Sequence, residues 1–137
     1  MTDIATIEAK RAARKAALAE QSAVQRAVDL EALDALEVEL GDESVEALDV
    51  PFAAGSVTLA VWRVPRPAEV KRYQHRLKAA KPDTAEAAEE VGAVCMVYPP
   101  SGEIRDALLG RLPGLLVQGG QVALGLATGR AQSEGKG

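Results

Sequence analysis

Cys95 and His75 are the pair from which nucleophilic catalysis would have to start, a thiolate beside an imidazole base. Their surroundings argue for structural roles instead. Cys95 lies in the apolar run Val94-Cys95-Met96-Val97, where a thiol packs as a small hydrophobe. His75 is flanked by Lys71, Arg72, Arg76 and Lys78, the composition of a solvated helix face. With one cysteine and one histidine in the chain, an intramolecular disulfide, a multi-cysteine zinc site and a several-imidazole metal centre are excluded. Acid–base work by paired carboxylates finds little support either. The acids from Asp29 to Asp49 form one run with no Lys or Arg between them, the pattern of a solvated or partner-facing surface. Gly119-Gly120 sits inside a helical pattern and lacks the context of a phosphate-binding loop. These residues together imply a chain with no catalytic site, no cofactor and no metal.

A basic cluster is the stronger signal. Arg63, Arg66, Lys71, Arg72, Arg76, Lys78 and Lys81 are opposed in their own stretch only by Glu69. Such a face can hold phosphate, and Trp62 or Tyr73 can stack on bases. The formal charge of −4 and a pI near 5.1 weigh against a dedicated nucleic-acid binder. Opposed acidic and basic blocks suit reversible protein association better, because they steer encounter without much buried area. Arg66, Lys71, Arg72, His75, Arg76 and Lys78 are therefore the candidate partner-binding residues, and the acidic run is the expected neutraliser, within the chain or between copies.

The elements that must position these residues follow from pattern and composition. The chain has 137 residues, 47% of them hydrophobic but only 3% aromatic, so a modest core depends on Ala, Leu and Val. From Asp3 to Val28 strong helix formers run without Gly or Pro, carrying an Ala band and few large apolar side chains. Such a helix projects, frays or packs on a partner. Leu30, Leu33, Leu36 and Leu40 continue the helical period, although Leu36, Val38 and Leu40 also alternate like a strand. Val45–Val50 and Val57–Val64 read as an antiparallel hairpin with one face covered by helices. Pro65 ends the second strand, and Pro67 opens a basic helix to about Ala80 with Val70, Tyr73 and Leu77 on one face. Asp83 caps a helix whose buried face includes Ala87, Val91, Val94 and Cys95. Ser101 caps a short helix carrying Ile104, Leu108 and Leu112, which Gly110 weakens, and Pro113 opens a last one through Leu116, Val117, Gln121 and Leu124 toward Ala127. No run is long and apolar enough to span a membrane, and the start lacks a secretory signal. The expected organisation is an N-terminal helical segment over 1–40, an α+β core over 41–128 and a disordered tail over 129–137.

One stretch carries a resemblance. Trp62-Arg63-Val64-Pro65-Arg66-Pro67-Ala68-Glu69-Val70-Lys71-Arg72-Tyr73 is similar to the "R-P-T-x-x-E-x-x-R-F" segment of small tailed-bacteriophage proteins encoded between the tail-tube protein and the tape-measure protein. Cys95-Met96-Val97-Tyr98-Pro99-Pro100-Ser101 resembles their "C-V-V-Y-P-S" element, and Leu112-Pro113-Gly114-Leu115 their "P-G-L" element. The pieces keep their order and spacing from about Val57 to Ala127. Two departures stand out: Arg66 replaces the usual Thr, removing an N-cap for the basic helix, and the N-terminal helix and acidic segment lie outside the match. The resemblance implies a tail assembly chaperone, working in the cytoplasm of the bacterial host, that coats the tape-measure protein before the tube polymerises. It makes the tail-tube protein a further candidate partner and identifies no catalytic residue. Trp62, Pro65, Glu69, Tyr73, Cys95, Tyr98, Pro99 and Pro113 are its structural positions. A structural virion part, such as a head–tail connector component, is the competing expectation, and a nucleic-acid binder using the basic helix comes next. Weak self-association through opposite charges would let many copies line one long client. Glu134-Gly135-Lys136 also fits a ribosomal slip site that would yield a longer product.

Overall fold

The computed structural model describes residues 3–129; the tail expected to be disordered, and the slip site within it, lie outside the described residues from residue 130 on. The uninterrupted run of helix formers gives one helix, α1 (Ile4–Leu40), of 37 residues. At the helical rise this is ~55 Å long. The alternation at Leu36–Leu40 does not become a strand. The helix ends at Gly41, whose φ of 97° favours glycine and whose N–H donates to the Glu37 carbonyl at 2.8 Å.

The chain then forms β1 (Val45–Asp49) and β2 (Leu59–Arg63), paired antiparallel from Val45↔Arg63 to Asp49↔Leu59. This is the expected hairpin, but the sheet has a third strand. Met96–Tyr98 forms β3, which pairs antiparallel with β2 and makes β2 central in the order β1-β2-β3. Three residues are too few to show a period, so β3 reads in the sequence as the end of a helix. The register slips between Val61 and Trp62, which face Tyr98 and Met96 respectively.

Four shorter helices complete the α+β fold: α2 (Pro67–Leu77), α3 (Thr84–Cys95), α4 (Glu103–Arg111) and α5 (Leu115–Ala127). The Asp83 carboxylate caps α3, accepting from the Glu86 N–H at 2.9 Å. Three sequence expectations shift here. The basic helix ends at Leu77 rather than near Ala80; Gly102, not Ser101, stands at the α4 N-cap; and α5 starts at Leu115, two positions after Pro113, with Gly114 at its N-cap.

Both faces of the sheet are covered, not one. Ala60 and Trp62 project into a core with Val91, Cys95, Leu108, Leu115 and Ala123. Leu59 and Val61 project the other way, where Val45 and the half-buried Leu33 and Leu36 of α1 meet them. The alternation of β2 therefore reads buried on both sides, as a central strand requires. α3 and α5 lie backbone to backbone. A Cβ on Gly92 would come within 1.9 Å of the Leu116 carbonyl oxygen, and one on Gly120 within 1.8 Å of the Ala88 oxygen. Gly119 makes room for the Trp62 ring in the same way. The Gly-Gly pair inside α5 is thus a close-packing device, not a ligand loop.

Candidate partner-binding site

The structural motif positions meet in one body. Trp62 is fully buried, and its indole N–H donates to the Gly92 carbonyl at 2.9 Å. Pro65 and Pro99 are buried, the latter following a cis peptide bond from Tyr98. Tyr73 packs half-buried against the core. Pro113 is exposed. Glu69 receives a two-pronged ion pair from Arg63, at 2.9 and 3.0 Å, and accepts the Arg66 N–H at 2.7 Å. The last contact is one half of a capping box; the other half is missing, because Arg66 has no side-chain acceptor for the Glu69 N–H, which donates to the Arg66 carbonyl at 2.9 Å instead. The Arg63 hydrogen bonds hold the Glu69 carboxyl down to about 2, against the opposing effect of partial burial.

Cys95 is fully buried, and burial pushes its thiol up to about 11. Val94, expected beside it in the core, is exposed instead, because one residue before Cys95 the helix has turned by about 100° and the side chain lines the open cleft against α2. His75 is exposed on α2. A buried, protonated thiol and a solvated imidazole are the arrangement of two structural residues.

Two arginines of the basic face are spoken for, and by an unexpected partner. Arg76 pairs with both Glu86, at 3.1 Å, and Glu90, and Arg72 lies 4.0 Å from Glu90. The neutralising carboxylates thus come from α3, not from the acidic run. Helix packing brings α2 and α3 side by side, which spacing along the chain does not reveal. Between them lies a cleft of about 120 Å³ lined by Glu69, Arg72, Tyr73, Arg76, Val91 and Val94, among others. Arg66, Lys71, His75 and Lys78 stay exposed around it.

The acidic run has a different fate at each end. Asp49 pairs with Arg26 at 2.6 Å. Asp29, read as part of a solvated face, is fully buried. Its Oδ2 accepts the Thr58 N–H and hydroxyl, both at 2.6 Å. Its Oδ1 accepts the Gln25 amide at 2.8 Å and the Tyr98 hydroxyl at 2.5 Å. Burial alone would raise the carboxyl pKa; the donors from Thr58, Tyr98 and Gln25 outweigh it and hold it below the usual value. Burial and the Asp29 charge push the Tyr98 hydroxyl upward in turn. The sequence did hold a signal: one and two turns back from Leu33 and Leu36, the sheet-facing stripe lands on Asp29.

Beyond that anchor α1 leaves the body, and every residue from Asp3 to Gln21 is exposed. Ile4, Ile7 and Leu18 lie there on the line that farther along meets the sheet, at 72%, 44% and 41% exposure. Arg11, Arg14 and Lys15 stand among them. Among the described residues no helix is long and apolar enough to cross a membrane, and no cluster of His, Cys, Asp and Glu could hold a metal ion. Compared with protein-family models, with curated proteins and with solved structures, the chain finds no match in any of the three.

Proposed function

We propose that the protein is a non-catalytic tail assembly chaperone that binds the tape-measure protein of a tailed phage in the host cytoplasm. The observation that carries the reading is the projecting half of α1, which holds Ile4, Ile7 and Leu18 in water with arginines and a lysine between them. A long helical client with apolar stripes is matched by such an element, which docks helix against helix and keeps the client's stripes from aggregating. The sequence resemblance supports the same reading, and its motif residues Trp62, Pro65, Tyr73, Cys95, Tyr98 and Pro99 fill packing positions in the body behind that helix.

The basic face adds less than the sequence suggests. Arg72 and Arg76 are partnered by Glu90 and Glu86, which weakens the nucleic-acid reading and leaves Arg66, Lys71, His75 and Lys78 as the contacts a client or tail-tube protein would meet. The test is recovery from phage-infected cells. The protein is expected to co-purify with the tape-measure protein and to be missing from finished particles by mass spectrometry. Stoichiometric recovery in particles would favour a connector component instead. Loss of client binding on changing Ile4, Ile7 and Leu18 to Ser would assign the contact to the projecting stripe.

A further inference from the structure

The opposite face of α1 is also without cover. Val24, Val28 and Val38 are 70%, 51% and 81% exposed. With Ala17, Gln21, Glu31 and Ala35 they fall at alternating steps of three and four residues, the seam of a two-helix coiled coil. This seam lies on the far side of the helix from Asp29, Leu33 and Leu36, so the sheet cannot cover it. Nor is it the Ile4–Ile7–Leu18 stripe, which continues the sheet-facing line.

Charge identifies the occupant. Lys10 and Arg14 continue the seam's spacing into the first half of α1, whereas Glu31 lies in the seam and Asp34 and Glu39 flank it in the last turns; Arg11 and Lys15 stand instead on the Ile4–Ile7–Leu18 side. Two copies aligned parallel would set like charges together. Aligned antiparallel, each copy's basic half lies along the other's acidic half, and one two-fold axis satisfies both contacts. We propose that α1 pairs with α1 of a second copy, antiparallel, through this valine seam.

In the register that sets Val24 of each copy against Val28 of the other, Gln21 faces Glu31 and Ala17 faces Ala35. The apolar contact is then central and the charges flank it. Valine and alanine make a thin seam, so the pair is reversible and depends on its charges. Each sheet stays on the outer side of its own helix, with Phe52 and Gly55 of the β1–β2 connection lining a shallow groove beside Gln21 and Val24, and both Ile4–Ile7–Leu18 stripes remain open. The inference is independent of any client, and its test needs only the full chain.

Sedimentation equilibrium is expected to show a dimer at ~0.05 M salt that weakens about tenfold at ~0.5 M. Val24→Glu with Val28→Glu, both at exposed positions, should weaken it about thirtyfold with helicity by circular dichroism unchanged. Cross-linking fixes the direction. A mixture of Ala17→Cys and Ala35→Cys chains should link through a short bis-maleimide, whereas neither variant links to itself, and the buried Cys95 takes no part. A chain that stays monomeric in low salt overturns the proposal and leaves the seam to a different protein. A dimer indifferent to the valine pair, or one in which Ala17→Cys links to itself, overturns it equally.

Discussion

A fully buried carboxylate with four donors is an unusual way to attach a helix to a sheet, and Asp29 shows what it does. Leu33 and Leu36 supply apolar area but little direction; Asp29 fixes where along its length α1 meets Thr58 and Tyr98. Asp29→Asn keeps the shape but turns an amide N–H₂ toward two of the donors. We expect a loss of about 2–4 kcal/mol in urea unfolding at neutral pH. Tyr98→Phe, which removes one donor and keeps the ring, should cost about 1–2 kcal/mol. The pH dependence follows from the lowered carboxyl. A group whose folded pKa is depressed contributes fully above its unfolded value and loses that contribution as pH falls through the folded one. For Glu69, the window runs from 4.5 down to about 2; for Asp29 it opens below 3.8. Stability of the native chain should fall across that range, and Asp29→Asn should flatten part of the slope. A variant with the same slope as the parent would mean that the Asp29 carboxyl titrates no differently in the fold than in the unfolded chain. At Cys95, with its thiol pushed up to about 11, maleimide labelling should require unfolding; rapid labelling of the native chain would contradict the burial.

At the scale of elements, the sequence was readable where a period ran long enough. The helix expected at Asp3–Val28, the Pro-bounded strand expected at Val57–Val64 and the Asp83 cap each rest on local chemistry; the cap is where it was expected, the helix runs on to Leu40, and the strand occupies Leu59–Arg63 inside its expected span. What stayed hidden is tertiary. The short β3 has no period of its own and exists because β2 offers an open edge. Glu86 and Glu90 meet Arg76 because α2 packs on α3. Asp29 shares its residue type with a whole acidic run, and only the stripe drawn back from Leu33 and Leu36 separates it. The glycines of α3 and α5 belong here too. An isolated glycine in a helix costs ~1 kcal/mol against alanine, so propensity alone would recommend replacing it. Packing reverses the sign. Gly92→Ala and Gly120→Ala each drive a methyl into a backbone oxygen at under 2 Å, which no rotamer change relieves. Each should lower stability by about 3 kcal/mol or more. Gly110→Ala, with nothing within 4 Å of the new methyl, is the control and should gain up to ~1 kcal/mol.

For the whole molecule, α1 is two things joined in one helix, and truncation separates them. From Ser22 onward the helix gives side chains to the body: Arg26 to Asp49, Asp29 to Thr58 and Tyr98, Leu33 and Leu36 to Leu59 and Val61. Before Ser22 every described residue is exposed, so this half adds no core. Deleting residues 3–20 should therefore change the unfolding free energy by less than about 0.5 kcal/mol, since surface changes away from packed features are near neutral. Deleting residues 3–40 uncovers Leu59 and Val61 together with the buried Thr58 N–H, and a three-stranded sheet bare on one face does not hold. That product should aggregate or show no cooperative transition by circular dichroism. The two deletions also divide the functions argued above. The shorter one removes Ile4, Ile7 and Leu18, and with them the client stripe, while Val24 and Val28 remain but lose the basic half that would lie along a second copy. A chain that folds normally after the longer deletion would place the body's second hydrophobic face elsewhere than under α1. A chain that fails after the shorter one would mean that the projecting half folds back onto the body.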